Sequence, residues 1–428
     1  MTDAVKEEVD KWENIRKNQP LINIGTAGHV DHGKTTLLEA LTGIWAARHS
    51  EELKRGITLK LGYAETAVFK CPNCPPPQCY YTEALAPEGR CKHCGAELEF
   101  VRRLSFVDVP GHEMLMAVML AGATMMDGVV MVIDASMPCP QPQTREHFMA
   151  LTIIGVRNMI VIQNKIDLVS KEKILENYRQ IKEFFSGTWA ENAPIIPVSA
   201  LHKANIDVVI EAIEKRMPDP RRDPSKPPLM MIARSFDVNK PGTPPDKLQG
   251  GVIGGTIIQG KFKLGDEIEI RPGLRIMEKG KIRCQPLFTE IVSLKSGERS
   301  LKTAYPGGLI GVGTLLDPSL TKSDNLMGNL AGKPGTLPPT RESMTLEVRL
   351  MERVVGTPEL LKVEPIRRGE VLALNVGTAA TLGAVVSASK DHVDVKLKFP
   401  ICAEDNARVA ISRRVAGRWR LIGYGLIR

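Results

Sequence analysis

Eight consecutive residues near the start of the chain have the types and spacing needed to bind a phosphate. Gly28-His29-Val30-Asp31-His32-Gly33-Lys34-Thr35 matches the pattern G-x-x-x-x-G-K-[ST]. The glycines let backbone N–H groups approach phosphate oxygens, and a helix beginning near Lys34 directs the positive end of its dipole at the same anion. Lys34 is placed to neutralise phosphate oxygens, and the Thr35 hydroxyl to ligate magnesium. The residues expected to contact the nucleotide here are Gly28, Asp31, His32, Gly33, Lys34, Thr35 and Thr36.

A second motif completes the phosphate side of such a site. Asp108-Val109-Pro110-Gly111-His112 follows a short apolar segment. Asp108 is expected to hold the magnesium ion through water, and Gly111 to offer its backbone N–H to a γ-phosphate.

A third motif, Asn164-Lys165-Ile166-Asp167, has the side chains to select a base. A carboxylate accepts two hydrogen bonds side by side, and guanine offers two adjacent donors on its Watson–Crick edge whereas adenine does not. Asp167 is therefore expected to select guanine, while Asn164 and Lys165 brace the loop and pack on the base. The turn Ser199-Ala200-Leu201 is expected to present a backbone N–H to the guanine carbonyl oxygen.

Strands and helices that alternate along the chain must position these motifs. Each motif follows a predicted strand, and ligands of open α/β sheets bind at the carboxyl ends of the strands. The alternation predicts a parallel sheet with helices on both faces. The predicted strands are Leu21–Thr26, Leu104–Asp108, Gly128–Asp134, Asn158–Asn164 and Ile195–Ser199, and the predicted helices include Lys34–Leu41, Arg145–Ile154 and Ser170–Phe185.

The four motifs in this order resemble those of the translational GTPases. The resemblance implies that Thr58, in Arg55-Gly56-Ile57-Thr58, ligates magnesium only while a γ-phosphate is present, with Gly56 beside it. It also implies that His112 positions the attacking water. Asp31 is unusual in a phosphate loop, and two interpretations stay open: a ligand of a second magnesium ion that assists catalysis, which we favour, or an N-cap of the following helix.

Five of the eight cysteines fall between Cys71 and Cys94. Two C-x-x-C pairs, Cys71/Cys74 and Cys91/Cys94, have the spacing of a four-cysteine zinc site. We therefore predict a zinc knuckle at 70–95 that staples a loop, with the spare Cys79 as a non-ligand. A closed four-sulfur site leaves no open position for catalysis.

Composition bounds the rest of the chain. The 428 residues suggest two to four domains, and the net charge of +8 favours an anionic partner. We find no apolar run long enough to cross a membrane and no N-terminal secretion signal. The charged residues 1–20 predict an exposed lead-in, and two proline-rich breaks separate a GTP-binding domain over 21–217 from two β-rich domains over 229–333 and 340–428. Each β-rich domain reads as an antiparallel barrel or sandwich, and the resemblance to translational GTPases implies two antiparallel β-barrel domains. Arginines cluster near the C-terminus at Arg413, Arg414, Arg418 and Arg420, where they could face a phosphate backbone or a solvated or subunit-packed surface.

Further segments along the whole chain resemble the gamma subunits of archaeal and eukaryotic initiation factor two. They include GHVDHGKTTL, DVPGHEMLMAVMLAGATMMDG, PQPQTREHF, RSFDVNKPGT, GGVIGGTIIQG and ISRRVAGRWRLIGYGLI. The resemblance implies a cytoplasmic GTPase that uses GTP/GDP, Mg and Zn and that binds neither DNA nor a membrane. It implies a heterotrimer with alpha and beta subunits that carries methionyl initiator tRNA to the small ribosomal subunit and releases it on GTP hydrolysis.

The alternative is a tRNA carrier similar to the selenocysteine-specific elongation factor, which usually has a further C-terminal domain. A third possibility is a GTPase that binds no tRNA, such as an assembly factor, and the two barrels argue against it.

Overall fold

The computed structural model describes residues 12–44, 61–110, 116–278, 281–352 and 361–428. These residues form two compact units, Met1–Pro220 and Arg221–Arg428. The predictions for Gly56, Thr58, Gly111 and His112 lie outside the described residues.

The first unit is built on a seven-stranded sheet with the order β3-β2-β4-β1-β5-β6-β7. Its strands are β1 (Asn23–Ala27), β2 (Gly62–Lys70), β3 (Tyr80–Thr82), β4 (Glu99–Asp108), β5 (Gly128–Asp134), β6 (Asn158–Asn164) and β7 (Ile195–Pro197). Its helices are α1 (Lys34–Thr42), α2 (Met116–Ala123), α3 (Pro142–Ile154), α4 (Lys171–Phe185) and α5 (Ile206–Arg216). Residues 12–18 are also helical.

The sheet is parallel through the five predicted strands and antiparallel at one edge. Strands β1, β4, β5, β6 and β7 run parallel, but β2 pairs antiparallel with β4, and β3 pairs antiparallel with β2. The long β2–β4 ladder carries the cysteine segment at its far end, and an antiparallel pair needs no crossover helix to return the chain.

Buried side chains cover both faces of this sheet. Val130 and Val132 of β5 pack in one cluster with residues of α1 and α5. Val129 and Met131 are also fully buried, and since side chains alternate along a strand they face the opposite side. Parallel strands that are buried on both faces have the continuous apolar sequences seen in β5 and β6.

The second unit holds two closed antiparallel β-barrels, each with its own apolar core. The first closes through β11-β16-β8-β9-β15-β12 and back to β11, and the second closes through β17-β20-β19-β18-β21-β22. Closure leaves no unpaired edge strand within either ring. The elements are β8 (Leu229–Phe236), β9 (Val252–Gln259), β10 (Phe262–Lys263), β11 (Glu267–Glu278), β12 (Lys281–Ser296), β13 (Arg299–Ser300), β14 (Thr303–Ala304), β15 (Ile310–Thr314), α6 (Pro318–Thr321), β16 (Leu330–Gly332), β17 (Thr340–Leu350), β18 (Val371–Val376), β19 (Ala379–Ala388), β20 (His392–Cys402), β21 (Arg408–Val415) and β22 (Arg418–Ile427).

The C-terminal arginines are partly committed to packing within the second barrel. Arg413 forms an ion pair with Glu370 and donates to the carbonyl of Glu364 at 2.8 Å. Arg420 is only 7% exposed. These two side chains are therefore held within the barrel itself.

None of the helices in the described part of the chain has both the length and the apolar character of a membrane span.

Candidate functional site

The phosphate loop joins β1 to α1, and two glycines give it its shape. Gly28 has a φ of 136°, and a Cβ there would lie 2.2 Å from the carbonyl oxygen of Val132. Gly33 has a φ of 88°, and its Cβ would lie 2.3 Å from the amide nitrogen of Asn164. A side chain at either position would therefore be strained and would also clash.

Lys34 is the first residue of α1 and its ammonium group is buried inside the loop. Nζ donates to the carbonyl oxygens of Gly28 at 3.1 Å and His29 at 2.8 Å. Burial lowers the pKa of Lys34 to about 8, although Asp108 and Asp31 act in the opposite direction. The loop therefore surrounds a buried cation with carbonyl dipoles next to a helix N-terminus, an environment that an anion would complete.

Two of the predicted magnesium ligands, Thr35 and Asp108, meet at the end of β4. Asp108 is fully buried, and its two carboxylate oxygens accept hydrogen bonds from Thr26 at 2.5 Å and from Thr35 at 2.9 Å. A hydroxyl beside a carboxylate is the hard oxygen donor set that magnesium prefers, so the residues present fit this ion.

Asp31 does not cap α1, so that alternative is wrong. The N-cap is Gly33, and no side chain caps the helix. Asp31 lies two residues earlier, is exposed, and has a left-handed backbone with a φ of 62°. The Asp31 carboxylate therefore has no capping role at this helix.

Asn164 joins the phosphate loop to the last predicted motif. Its amide nitrogen donates to the carbonyl of His32 at 2.9 Å, and its amide oxygen accepts from the N–H of Ala200 at 3.0 Å. The side chain is only 2% exposed. The bracing role that the sequence indicated for Asn164 has a direct structural basis in these two bonds.

The expected base-selecting side chain lies at the surface of the same edge. Asp167 has a side-chain exposure of 23% and lies 3.7 Å from the His202 imidazole. A hydrogen bond with Ser199 lowers the pKa of the Asp167 carboxyl, and nearby His202 adds to the effect. Asp167 is therefore ionised at neutral pH, so its carboxylate can accept two hydrogen bonds. Leu201 of the predicted turn is 71% exposed.

Lys165 is held by a partner that sequence reasoning missed. Its Nζ lies 2.8 Å from Asp134, a buried residue at the end of β5. Burial opposes ionisation of Asp134, but hydrogen bonds from Lys165 and Ser136 outweigh it and lower its pKa. The signal was present, because Asp134 is a carboxylate at the carboxyl end of a strand, where ligands of such sheets bind.

Three histidines around the loop are neutral. Burial lowers the pKa of His32 to about 4 and that of His147 to about 3, and burial together with Lys34 lowers the pKa of His29. His32 donates through Nδ1 to the carbonyl of Val132 at 3.0 Å. His147, on α3, was also missed by sequence reasoning, because its partner Gly28 is 119 residues away along the chain.

The four predicted zinc ligands form one cluster. The sulfurs of Cys71, Cys74, Cys91 and Cys94 all lie within 4.8 Å of one another. The Cys71–Cys94 and Cys74–Cys91 pairs are 3.4 and 3.6 Å apart. Zn–S bonds of about 2.3 Å place the sulfurs of a tetrahedron about 3.8 Å apart, so this donor set fits zinc.

Cys79 is buried in the apolar core beneath the knuckle and does not belong to the four-sulfur group, as predicted. A further polar partner is Tyr81, whose hydroxyl lies 3.3 Å from the Cys91 sulfur. Hydrogen bonds of this kind orient metal ligands.

Comparison with known proteins identifies the family. The chain is 62% identical to the translation initiation factor 2 subunit gamma of Pyrococcus horikoshii over 97% of this chain and 99% of that protein. It is 59% identical to the same subunit of Methanothermobacter thermautotrophicus over 96% of this chain and 100% of that protein. The chain belongs to the gamma subunits of translation initiation factor 2.

Two family profiles agree with this assignment. The elongation factor Tu GTP binding domain matches residues 19–219, and the C-terminal domain of initiation factor eIF2 gamma matches residues 342–427. This gamma subunit is thus a GTP-binding initiation factor subunit and a translational GTPase that hydrolyses GTP.

Solved structures of selenocysteine-specific elongation factors share the fold. A bacterial selenocysteine-specific elongation factor superposes with a TM-score of 0.72 at 23% identity, covering 95% of this chain and 58% of that one. Elongation factor SelB of Methanococcus maripaludis, in complex with a GTP analogue, gives a TM-score of 0.68 at 23% identity, covering 96% and 79%. The selenocysteine-specific alternative is therefore only a distant structural likeness.

Proposed function

We propose that the carboxyl edge of the first sheet binds GTP and GDP, with the phosphates in the 28–36 loop and guanine at Asp167. The observation that carries this proposal is the buried Lys34 ammonium, which has carbonyl groups as hydrogen-bond partners at the N-terminus of α1. A buried cation is costly without a counter-charge, and a β- or γ-phosphate supplies one. The remaining contacts are Gly28, Asp31, His32, Gly33, Thr35, Thr36, Gly111, Asn164, Lys165, Ser199, Ala200 and Leu201.

Magnesium would be held by Thr35 and by Asp108 through water, with Thr58 and Gly56 contributing in the GTP state and Asp31 holding a second ion. Magnesium bound there would offset the negative charge of the phosphates. His112 would position the attacking water for in-line displacement at the γ-phosphate.

Guanine selection tests the nucleotide site. Asp167→Asn replaces a double acceptor by a donor and an acceptor. GDP affinity is expected to fall about 100-fold, which is the loss expected when a pair of charge-assisted hydrogen bonds is broken. Xanthosine diphosphate presents a carbonyl at that edge and is expected to bind the variant at least about tenfold better than it binds the original chain. The assay is competition against a fluorescent GDP analogue.

A matched control for that experiment is Glu172→Gln, which neutralises an exposed carboxylate at the start of α4. It should leave both affinities unchanged. If Asp167→Asn kept the original GDP affinity and did not bind the xanthine nucleotide better, Asp167 would not be the residue that selects the base.

Zinc is the metal that the four-cysteine cluster would hold, and its role would be to fix the 70–95 loop. Each chain is expected to bind one zinc ion through four thiolates, a closed structural site.

The chain would act as the core of a heterotrimer with alpha and beta subunits, in the cytoplasm. In its GTP state it would carry methionyl initiator tRNA to the small ribosomal subunit and release it on hydrolysis, with neither DNA nor a membrane as a partner. Support comes from full-length relatives at about 60% identity, which are gamma subunits of translation initiation factor 2. We also propose 21–217, 229–333 and 340–428 as the three functional domains after the 1–20 lead-in.

Protection of aminoacyl-tRNA from deacylation tests the carrier function. Methionyl initiator, methionyl elongator and selenocysteinyl tRNAs are compared with GTP and with GDP. We expect tighter binding of the initiator species in the GTP state and an affinity that decreases as salt rises, because phosphate contacts release counterions. Equal protection of all three tRNAs in both states would refute the carrier function, and protection of the selenocysteinyl species alone would favour the alternative.

A further inference from the structure

His147 lies on α3 and reaches the first glycine of the phosphate loop. Its side chain is 2% exposed, and its Nδ1 atom lies 3.0 Å from the backbone nitrogen of Gly28. A backbone N–H can only donate, so Nδ1 must accept. The ring is therefore neutral and carries its proton on Nε2.

Gly28 is the point at which β1 becomes the loop. Its positive φ allows the chain to pass close to Val132 of β5. Its carbonyl then accepts from Lys34, as does the carbonyl of the next residue, His29. Gly28 is consequently fixed on its N–H side by His147 and on its C=O side by the ammonium group.

The charges around His147 favour this acceptor role. The titratable groups that act on it are Lys34, His29 and His32, and all of them disfavour an added proton. Burial has the largest effect and acts in the same direction, so its pKa falls to about 3. Nδ1 thus remains an acceptor over the whole pH range in which the protein would work.

We propose that His147 is a positioning residue for nucleotide binding, which holds the Gly28 N–H from α3 and thereby fixes the carbonyls that orient Lys34 towards the phosphates. It does not touch the reacting atoms. The inference depends on the proposed function, because it assumes that the 28–36 loop binds the phosphates.

Replacements that differ in one acceptor atom test this role. In His147→Asn the amide oxygen falls near the position of Nδ1, whereas His147→Leu fills a similar volume without an acceptor. We expect His147→Leu to weaken GDP binding about tenfold, mainly through faster dissociation, because it leaves a buried N–H without a partner. His147→Asn should stay within about threefold of the original affinity.

His147→Gln is a second variant in case the leucine protein does not fold. Its amide oxygen reaches the position of Nε2 rather than Nδ1, so it should behave like leucine. The preference for GDP over xanthosine diphosphate should not change in any of the three variants, because the base lies at Asp167. If His147 only packed in the core, the His147→Asn and His147→Gln variants would bind GDP with equal affinity.

Lys34→Ala distinguishes a failure of the phosphate-loop assignment from a failure of the role of His147. If Lys34→Ala leaves GDP affinity unchanged, the phosphate-loop assignment itself fails. If Lys34→Ala abolishes binding while His147→Leu and His147→Gln bind GDP like the original chain, only the role of His147 is refuted. Equal losses in His147→Asn and His147→Gln would refute it as well.

Discussion

Removing the Asn164 amide should disconnect the phosphate loop from the base-binding loop. Asn164→Ala deletes the donor to the His32 carbonyl and the acceptor for the Ala200 N–H, two buried bonds of 2.9 and 3.0 Å. A buried polar group that loses its partner costs about 1–3 kcal/mol. Two such groups lower the free energy of unfolding of this region by about 2–6 kcal/mol, and we expect about 3 because water can enter part of the space.

Gln163→Ala is the matched control, because it removes a neighbouring amide that is equally buried at 1% exposure. Gln163 donates to the Ile174 carbonyl at 2.8 Å and to the Asn177 side chain at 2.9 Å, so its bonds hold α4 rather than the nucleotide loops. Both variants should lose similar stability. Only Asn164→Ala should also lose GDP affinity, by about tenfold or more. If ordering the loop for binding costs about 1.4 kcal/mol more, affinity falls tenfold.

Two assays separate these effects. Amide hydrogen exchange in β6 measures the local free energy of opening without requiring the whole chain to unfold in one step. Dissociation of a fluorescent GDP analogue measures nucleotide binding. The bracing role would be refuted if the two variants lost GDP affinity equally, or if Asn164→Ala bound GDP like the original chain.

Three further outcomes are expected. Chelation should remove one zinc ion per chain and increase hydrogen exchange over 70–95 while GDP affinity stays within about twofold; a metal-free chain with full protection there would contradict the zinc site. Asp31→Asn, which tolerates the left-handed backbone, should change the magnesium dependence of GTP hydrolysis but not stability, and an unchanged magnesium dependence would rule out a second ion at Asp31. The pKa of His32 is about 4 in the folded chain and about 6.5 in the unfolded chain, so between these pH values only the unfolded chain binds the extra proton. The free energy of unfolding should therefore decrease as pH falls from 6.5 to 4, by about 2 kcal/mol at pH 5. Urea titrations should show a smaller decrease in His32→Asn.

The strands of the nucleotide-binding unit were predictable where burial is complete. β5 and β6 begin and end at the predicted residues, because an unbroken apolar run between turn residues can form a strand that is buried on both faces. α1 likewise begins at Lys34, as its glycine-rich N-terminal segment indicated. The knuckle was predictable for a different reason, since C-x-x-C spacing determines which sulfurs can share one ion.

The short edge strand β3 could not be read from its sequence. Its three residues are too few to show the period-2 pattern of a strand. α2 was difficult for a related reason, because its residues Met116–Ala123 are nearly all apolar or small and show no helical period. The contacts of Asp134 and His147 join residues that are far apart in sequence, and no local pattern encodes such pairs.

The buried charge of Lys34 in the phosphate loop links the stability of this unit to ligand binding. The hydroxyls of Thr26 and Thr35 donate to the Asp108 carboxylate, and the neighbouring histidines remain neutral because of burial. The carboxylates of Asp108 and Asp31 only partly offset the burial of the Lys34 ammonium, so its pKa stays below the usual value. A bound phosphate would offset the remaining cost of burial, so nucleotide should raise the pKa of Lys34 and stabilise this unit by RT ln(1 + [L]/Kd). The same burial that makes the Lys34 ammonium costly thus makes the loop selective for an anion.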